Sequence, residues 1–92
     1  MKTYKFNEIE YELVKEYKDG FNYDEVLNRC TDYFIPYDYI VGDWAYGKLR
    51  LKGFCEKTND IYKEINDYAN VDKYLAENCA FNCSYFIIKR ID

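Results

Sequence analysis

The residues best suited to chemistry lie in one stretch of the chain, residues 38–54, which reads Asp-Tyr-Ile-Val-Gly-Asp-Trp-Ala-Tyr-Gly-Lys-Leu-Arg-Leu-Lys-Gly-Phe. Three cations in it alternate with two leucines, and we call these cations the basic stripe: Lys48, Arg50 and Lys52. Side chains alternate across a strand, so the stripe is expected on one face, with Leu49 and Leu51 on the other. Such a face suits carboxylate or phosphate recognition by Arg50.

The aromatic residues beside the stripe suggest two kinds of partner. Trp44 and Tyr46 could stack bases next to the cations, as in proteins that hold single-stranded RNA. Trp, Tyr and Arg are also enriched in protein-binding hot spots. The structural alternative is that Trp44 packs the hairpin end, that Asp43 pairs with Arg50 or caps the turn, and that the stripe is merely solvated. The candidate binding residues are Asp43, Trp44, Tyr46, Lys48, Arg50 and Lys52.

The elements that position these residues are predicted to be two antiparallel strands. Residues 37–42 are apolar on both faces apart from Asp38, which is typical of a central strand. Residues 43–47 are predicted as the turn, and residues 48–54 as the second strand.

The first part of the chain predicts a hairpin and a helix. Residues 3–6 and 9–16 have strand character, with Asn7-Glu8 as the turn between them. Helix 23–34 is predicted from Asn22 as N-cap and from Pro36, which stops it. Its apolar stripe is expected to contain Val26, Leu27, Cys30, Tyr33 and Phe34.

The last part predicts a second helix and a final strand. Residues 61–68 are ambiguous between a loop and a short helical turn. Asn70 is predicted to cap the helix, and Asn82 suits its left-handed end. The buried stripe of this helix is expected to be Val71, Tyr74, Leu75 and Cys79. Residues 85–88 are predicted as another central strand. The order ββ-α-ββ-α-β indicates an α+β domain, with a mostly antiparallel sheet of about five strands and two supporting helices.

The bulk composition indicates one small globular domain, residues 1–92. The net charge of −4 argues against non-specific DNA binding. No apolar run approaches the roughly 18 residues of a membrane span, and the N-terminus lacks a signal-peptide core. We therefore predict a cytoplasmic protein whose four cysteines are reduced. Without histidine, Cys79 and Cys83 (C-x3-C) are not expected to bind metal.

The sequence offers little for catalysis. It has no histidine, the usual general base at neutral pH, and its one serine, Ser84, lies outside any nucleophile motif. Gly42 and Gly47 match no phosphate-binding loop, so no cofactor is predicted. Asp38 and Asp43 are five apart and would point to opposite faces of a strand, so they cannot form a close carboxylate pair. The chain is predicted not to be an enzyme.

Three stretches, residues 11–21, 37–54 and 74–86, resemble the YutD family of small cytoplasmic proteins from low-GC Gram-positive bacteria. The central motif, Gly-Asp-Trp-x-Tyr-Gly-x-Leu-Arg-Leu-Lys-Gly-Phe, is the most specific. Ala45 and Asn82 stand where relatives are expected to have glycine. The resemblance implies a shared fold and no particular activity.

Together these features predict a non-catalytic cytoplasmic binding module that acts through protein–protein contacts centred on residues 38–54. The alternative is a weak RNA- or nucleotide-binding module that uses Trp44, Tyr46 and the basic stripe.

Overall fold

The computed structural model describes residues 2–78 and 83–91. These residues form five strands and two α-helices in the predicted order, which confirms the α+β class. The elements are β1 (Thr3–Phe6), β2 (Ile9–Tyr17), α1 (Tyr23–Arg29), β3 (Tyr39–Ala45), β4 (Lys48–Phe54), α2 (Val71–Asn78) and β5 (Tyr85–Arg90).

The five strands form one antiparallel sheet in the order β1-β2-β5-β3-β4. β5 lies at its centre and pairs with both β2 and β3, so the two strands predicted as central are confirmed as central. β1 and β4 are the edges. The two hairpins, β1–β2 and β3–β4, therefore lie at opposite ends of the sheet.

The sheet is covered on both faces by apolar clusters. One face packs against Val26 of α1 and is called the α1 face; its sheet residues include Ile40, Leu49 and Phe86. The other packs against α2 and is called the α2 face. The α2-face cluster contains Tyr39, Val41, Phe54, Val71, Leu75 and Ile87. Burial on both faces explains why β3 reads as a continuous apolar run.

The predicted helix 23–34 is too long at its C-terminal end. Asn22 does cap it, accepting from Glu25 N–H at 3.1 Å, but the helix ends at Arg29. A separate 3-10 turn, Asp32–Phe34, follows. A distant contact holds the chain in its non-helical course just beyond the helix: the Asn7 amide donates to the carbonyls of Cys30 (3.0 Å) and Thr31 (3.1 Å). Of the predicted apolar stripe, Leu27 and Tyr33 are exposed.

The predicted turn 43–47 is also wrong. β3 continues to Ala45, and the turn is only Tyr46-Gly47, with φ of 54° and 76°. Positive φ at both central residues is the signature of a type I′ turn, whose twist matches that of the strands. The antiparallel pairing of β3 with β4 is therefore uninterrupted from the pair Tyr39–Phe54 to the pair Ala45–Lys48.

Two 3-10 turns, Glu64–Asn66 and Tyr68–Asn70, occupy the region predicted as ambiguous. Asn70, the predicted cap of α2, lies inside the second turn, and Asp67 caps that turn by accepting from Ala69 N–H at 2.9 Å. Val71 and Leu75 are buried as predicted. The predictions for Cys79 and Asn82 fall outside the described residues.

Among the three described cysteines, one differs from the prediction. Cys30 and Cys55 are buried free thiols, but Cys83 is disulfide-bonded. The prediction of reduced thiols followed from the expected compartment, which carries no information on the thiols that a fold brings together. Within residues 2–78 and 83–91 no group of three metal-ligating side chains forms, and no helix is long and apolar enough to cross a membrane.

Candidate binding surface on the second hairpin

The tip of the β3–β4 hairpin presents an aromatic ring that the fold does not use. The Tyr46 side chain is fully exposed, although its backbone has a φ of 54°. The left-handed region costs an ordinary residue roughly 1–2 kcal/mol, and type I′ turns favour Asn-Gly over a bulky residue. The Tyr46 ring thus combines a backbone cost with no burial in return.

The basic stripe lies on one face of β4, as its alternation predicted. Lys48, Arg50 and Lys52 point to the α2 face, while Leu49 is buried on the α1 face. The Lys52 ammonium lies 5.2 Å from the centroid of the Phe54 ring and 5.8 Å from that of Tyr74. This cation–π contact keeps Lys52 close to the sheet. No ion pair of Lys48 or Lys52 with a described residue is present.

Asp43 and Arg50 are cross-strand partners that form an ion pair. Arg50 Nε donates to Asp43 Oδ1 at 2.8 Å, and the hydrogen bond raises the pKa of the Arg50 guanidinium above its ordinary value. The Asp43 side chain is 1% exposed, whereas that of Arg50 is 47% exposed. The pairing named in the structural alternative is therefore present. It fixes the guanidinium over the sheet with half its surface in water.

Trp44 lies on the opposite face from the stripe. Its register partner on β4 is Leu49, and its ring packs against the α1-face cluster. The indole Nε1 donates to the Gly20 carbonyl at 2.7 Å. The structure therefore does not bring Trp44 and the cations together as one stacking platform. Of the two aromatic candidates, Tyr46 at the tip is the exposed one.

Sequence reasoning missed a groove beside the stripe. An open groove of about 750 Å³ lies between the end of β4 and α2. Phe54 and Tyr74 supply apolar surface, and Ile65 is 74% exposed beside it. Its charged residues are two lysines and two glutamates, Lys52, Lys73, Glu64 and Glu77. An isoleucine inside the polar run 63–67 was the one sequence signal for it.

The fold and this surface define a small α+β domain with a basic, exposed hairpin. The model of the family "YutD-like: Putative antitoxin YutD-like" matches residues 5–89, and the chain belongs to this family. It is 48% identical over 82 residues to "Putative antitoxin YutD" of Bacillus subtilis (strain 168), covering 89% of this chain and 90% of that protein. The solution NMR structure of protein yutD from B. subtilis matches with a TM-score of 0.82 and 43% identity, covering 99% of this chain and 83% of that one. The resemblance inferred from the three stretches is confirmed.

Proposed function

We propose that the chain is a non-catalytic cytoplasmic module that binds a partner protein through the second hairpin. The observation that carries this proposal is Tyr46, a fully exposed ring held at an unfavourable φ. Residues whose backbone is held in a sparsely populated φ region cluster at binding and active sites. Lys48 and Arg50 follow the ring in sequence and add charge for steering a partner.

The family description supports a protein partner. The B. subtilis relative is called "Putative antitoxin YutD". An antitoxin is defined by the toxin that it counteracts, and in this chain the hairpin is the surface proposed to contact such a protein. The name also denotes no enzyme, in keeping with a sequence that lacks histidine.

The RNA alternative is weaker than the sequence suggested. Base stacking beside cations needs rings and charges on one surface, but Trp44 faces α1 and hydrogen-bonds Gly20. The net charge of −4 also opposes a nucleic acid. RNA binding is therefore treated as one of the possible results of the experiment below.

The test is affinity capture from native cytosol with the whole chain as bait, with and without nuclease. The recovered protein is purified and titrated against the parent and Tyr46→Asn. Asn suits the turn, so this variant removes the ring without weakening the hairpin. We expect an affinity loss of about tenfold or more, the size of a hot-spot residue.

The matched control is Tyr33→Asn. Tyr33 is 64% exposed but lies outside the hairpin, so its loss should leave the affinity unchanged. Equal binding by Tyr46→Asn and the parent would contradict the proposal. Release of the partner by nuclease would favour RNA instead.

A further inference from the structure

The strand register places four side chains in one line across the sheet, at the end nearest the tip of the second hairpin. Tyr17 on β2 is opposite Tyr85 on β5, Tyr85 is opposite Asp43 on β3, and Asp43 is opposite Arg50 on β4. Residues directly opposite each other in an antiparallel pair share a face, and Tyr85 packs against the α2-face cluster. We call these four residues the end row. It crosses three strand spacings, about 14 Å, on the same face as the basic stripe.

The two tyrosines of the end row form a stacked pair with a lysine over each ring. Tyr17 is 40% exposed and Tyr85 is half-buried, and their ring centroids are 5.4 Å apart at an interplanar angle of 25°. The Lys15 ammonium lies 5.6 Å from the Tyr85 centroid, and the Lys18 ammonium lies 6.0 Å from the Tyr17 centroid. The face of an aromatic ring is electronegative and its edge is electropositive. Because the stack and the lysines occupy ring faces, a ligand would meet mainly positive ring edges and ammonium groups.

The loop that follows β2 is held firmly against the second hairpin and β5. The Ser84 hydroxyl donates to the Lys18 carbonyl at 3.0 Å, and Trp44 Nε1 donates to the Gly20 carbonyl at 2.7 Å. A Cβ added to Gly20 would lie 2.5 Å from the backbone nitrogen of Tyr85, so the loop packs directly on β5. Lys18 is therefore fixed at its place beside the end row. A surface that is ordered in advance loses less conformational entropy when it binds.

The end row carries an excess of positive charge. Lys15 and Lys18 are exposed, and neither forms an ion pair with any residue that the structure describes. Of the carboxylates beside them in sequence, Glu16 points to the opposite face and only Asp19 is exposed next to Lys18. The ion pair at the β4 end of the row is neutral as a whole. The row therefore complements a negatively charged surface.

We propose that the contact surface for the partner protein continues from the tip of the second hairpin across the end row, and that the partner meets it with an acidic segment whose carboxylates contact Lys15 and Lys18. This inference rests on the proposed function and names the chemistry of the partner's surface. Arg50 belongs to both the end row and the basic stripe, and Lys48 lies two residues closer to the tip. One partner can therefore contact the Tyr46 ring and the end row together.

The geometry favours carboxylates of a protein over the other two occupants. A nucleic-acid base stacks on the face of an aromatic ring, whereas the faces of Tyr17 and Tyr85 are stacked on each other and lie under lysines. A second copy of this chain would bring the same patch against itself in a symmetric contact. The lysines would then oppose lysines, and like charges at an interface are unfavourable.

The test is an NMR titration of the 15N-labelled chain with hexaglutamate, blocked at both ends, at low ionic strength. We expect the amide signals of Tyr17, Lys18 and Tyr85 to shift and to saturate. The amides of Lys2 and Lys5, which are exposed cations outside the end row, should change less. Blocked hexaglutamine has the same length without the charge and should cause no shift. Added salt should weaken the binding of hexaglutamate, because it screens exposed ion pairs.

Two double variants separate the end row from net charge. Lys15→Gln with Lys18→Gln should weaken the binding of hexaglutamate about fivefold, as expected for the loss of two exposed ion pairs. Lys2→Gln with Lys5→Gln removes the same charge elsewhere and should bind like the parent. All four positions are exposed, so both variants should melt close to the parent. The partner recovered by affinity capture is then titrated against both, and only the first variant should lose affinity.

The proposal is overturned if hexaglutamate shifts the amides of the end row no more than that of Lys5, or if the two double variants bind it equally. Tighter binding of hexauridylate at the end row would assign the row to nucleic acid and would also overturn it. If Tyr46→Asn loses the captured partner while Lys15→Gln with Lys18→Gln keeps it, this inference alone has failed. The reverse result would support the end row and contradict the proposed role of the tip.

Discussion

The two hairpins close on turns of the same backbone type but use them differently. Asn7-Glu8 has φ of 54° and 65°, and Tyr46-Gly47 has φ of 54° and 76°. Asparagine tolerates this region, and the Asn7 amide reaches across to two carbonyls at the end of α1. The Tyr46 ring, by contrast, is fully exposed. The first turn therefore contributes hydrogen bonds that stabilise the fold, whereas the second has an unfavourable backbone and buries no side chain.

This difference locates function more sharply than charge does. A residue that breaks a local preference without a compensating contact inside the fold is expected at a functional site. Asn7 obeys the preference of its turn and also holds α1 in place. Tyr46 and the exposed Glu8 both have positive φ, but of the two only Tyr46 presents an aromatic ring to solvent, and the basic stripe begins two residues after it. The comparison therefore assigns structure to the first hairpin and binding to the second.

The prediction with the largest expected effect concerns the Asp43–Arg50 ion pair, which we call the base of the second hairpin. It tests whether this base stabilises the fold although the tip does not. Arg50→Met leaves the buried Asp43 carboxylate without its partner. An uncompensated buried charge costs about 3–5 kcal/mol, and we expect the lower end because half of the Arg50 side chain faces water. The measurement is urea unfolding followed by the fluorescence of Trp44.

Arg50→Lys is the control for this prediction. It keeps the positive charge but lacks the planar fork, so it should lose less stability than Arg50→Met. A loss below about 1 kcal/mol in Arg50→Met would mean that water compensates Asp43 and that the base of the hairpin is as dispensable to the fold as the tip.

The next effect concerns the contact of the first hairpin with Cys30. Burial raises the pKa of the Cys30 thiol from 9.0 to about 11. The folded chain therefore holds this proton where the unfolded chain releases it, so the contribution is complete below pH 9 and is lost as the pH rises from 9 to 11. We expect a loss of up to about 2 kcal/mol.

Cys30→Ala isolates this contribution from other groups that titrate at high pH. The difference in unfolding free energy between the parent and Cys30→Ala is measured at pH 8 and at pH 10.5. At the higher pH the parent should have lost more unfolding free energy than Cys30→Ala. A difference that stays constant would show that Cys30 ionises as readily in the folded chain as in the unfolded one.

Local chemistry predicted the strands and the start of α1, because alternation and capping act within a few residues. It did not predict the end of α1, which depends on Asn7, 23 residues before Cys30. Because the turn was predicted with the wrong bounds, the face of the sheet on which Trp44 lies was not predicted either. A turn of residues 43–47 leaves Trp44 outside the strands, whereas the two-residue turn fixes the register and turns its ring to the α1 face.

The candidate site was predicted in part for the same reason. The sharing of one face by Lys48, Arg50 and Lys52 needs only the period of a strand. The groove needs the 3-10 turn at Ile65 to come beside α2, which no local pattern specifies. The end row likewise depends on the strand order, and that is decided by contacts between distant segments.

An exchange of residues between the two turns sharpens the comparison directly. Tyr46→Asn should raise the free energy of unfolding by about 1 kcal/mol, since asparagine accepts the left-handed backbone. Asn7→Tyr should lower it by about 2 kcal/mol, because it adds the backbone cost and removes two hydrogen bonds. Thermal melts of both variants measure the signs. Two changes of equal sign would remove the distinction between the hairpins.

The smallest expected effect on stability concerns the basic stripe. Lys48→Gln with Lys52→Gln should change the unfolding free energy by about 0.5 kcal/mol, since Lys48 is exposed and the half-buried Lys52 loses one cation–π contact. The same double variant should slow association with the partner, and the difference from the parent should shrink as salt is added, because screening weakens steering.

The matched control is Lys2→Gln with Lys5→Gln, which removes the same charge at the edge of the first hairpin. Association rates of both double variants are measured across a salt series. If the two variants associate at the same rate as each other, only net charge matters, and the stripe of the second hairpin is a solvated face.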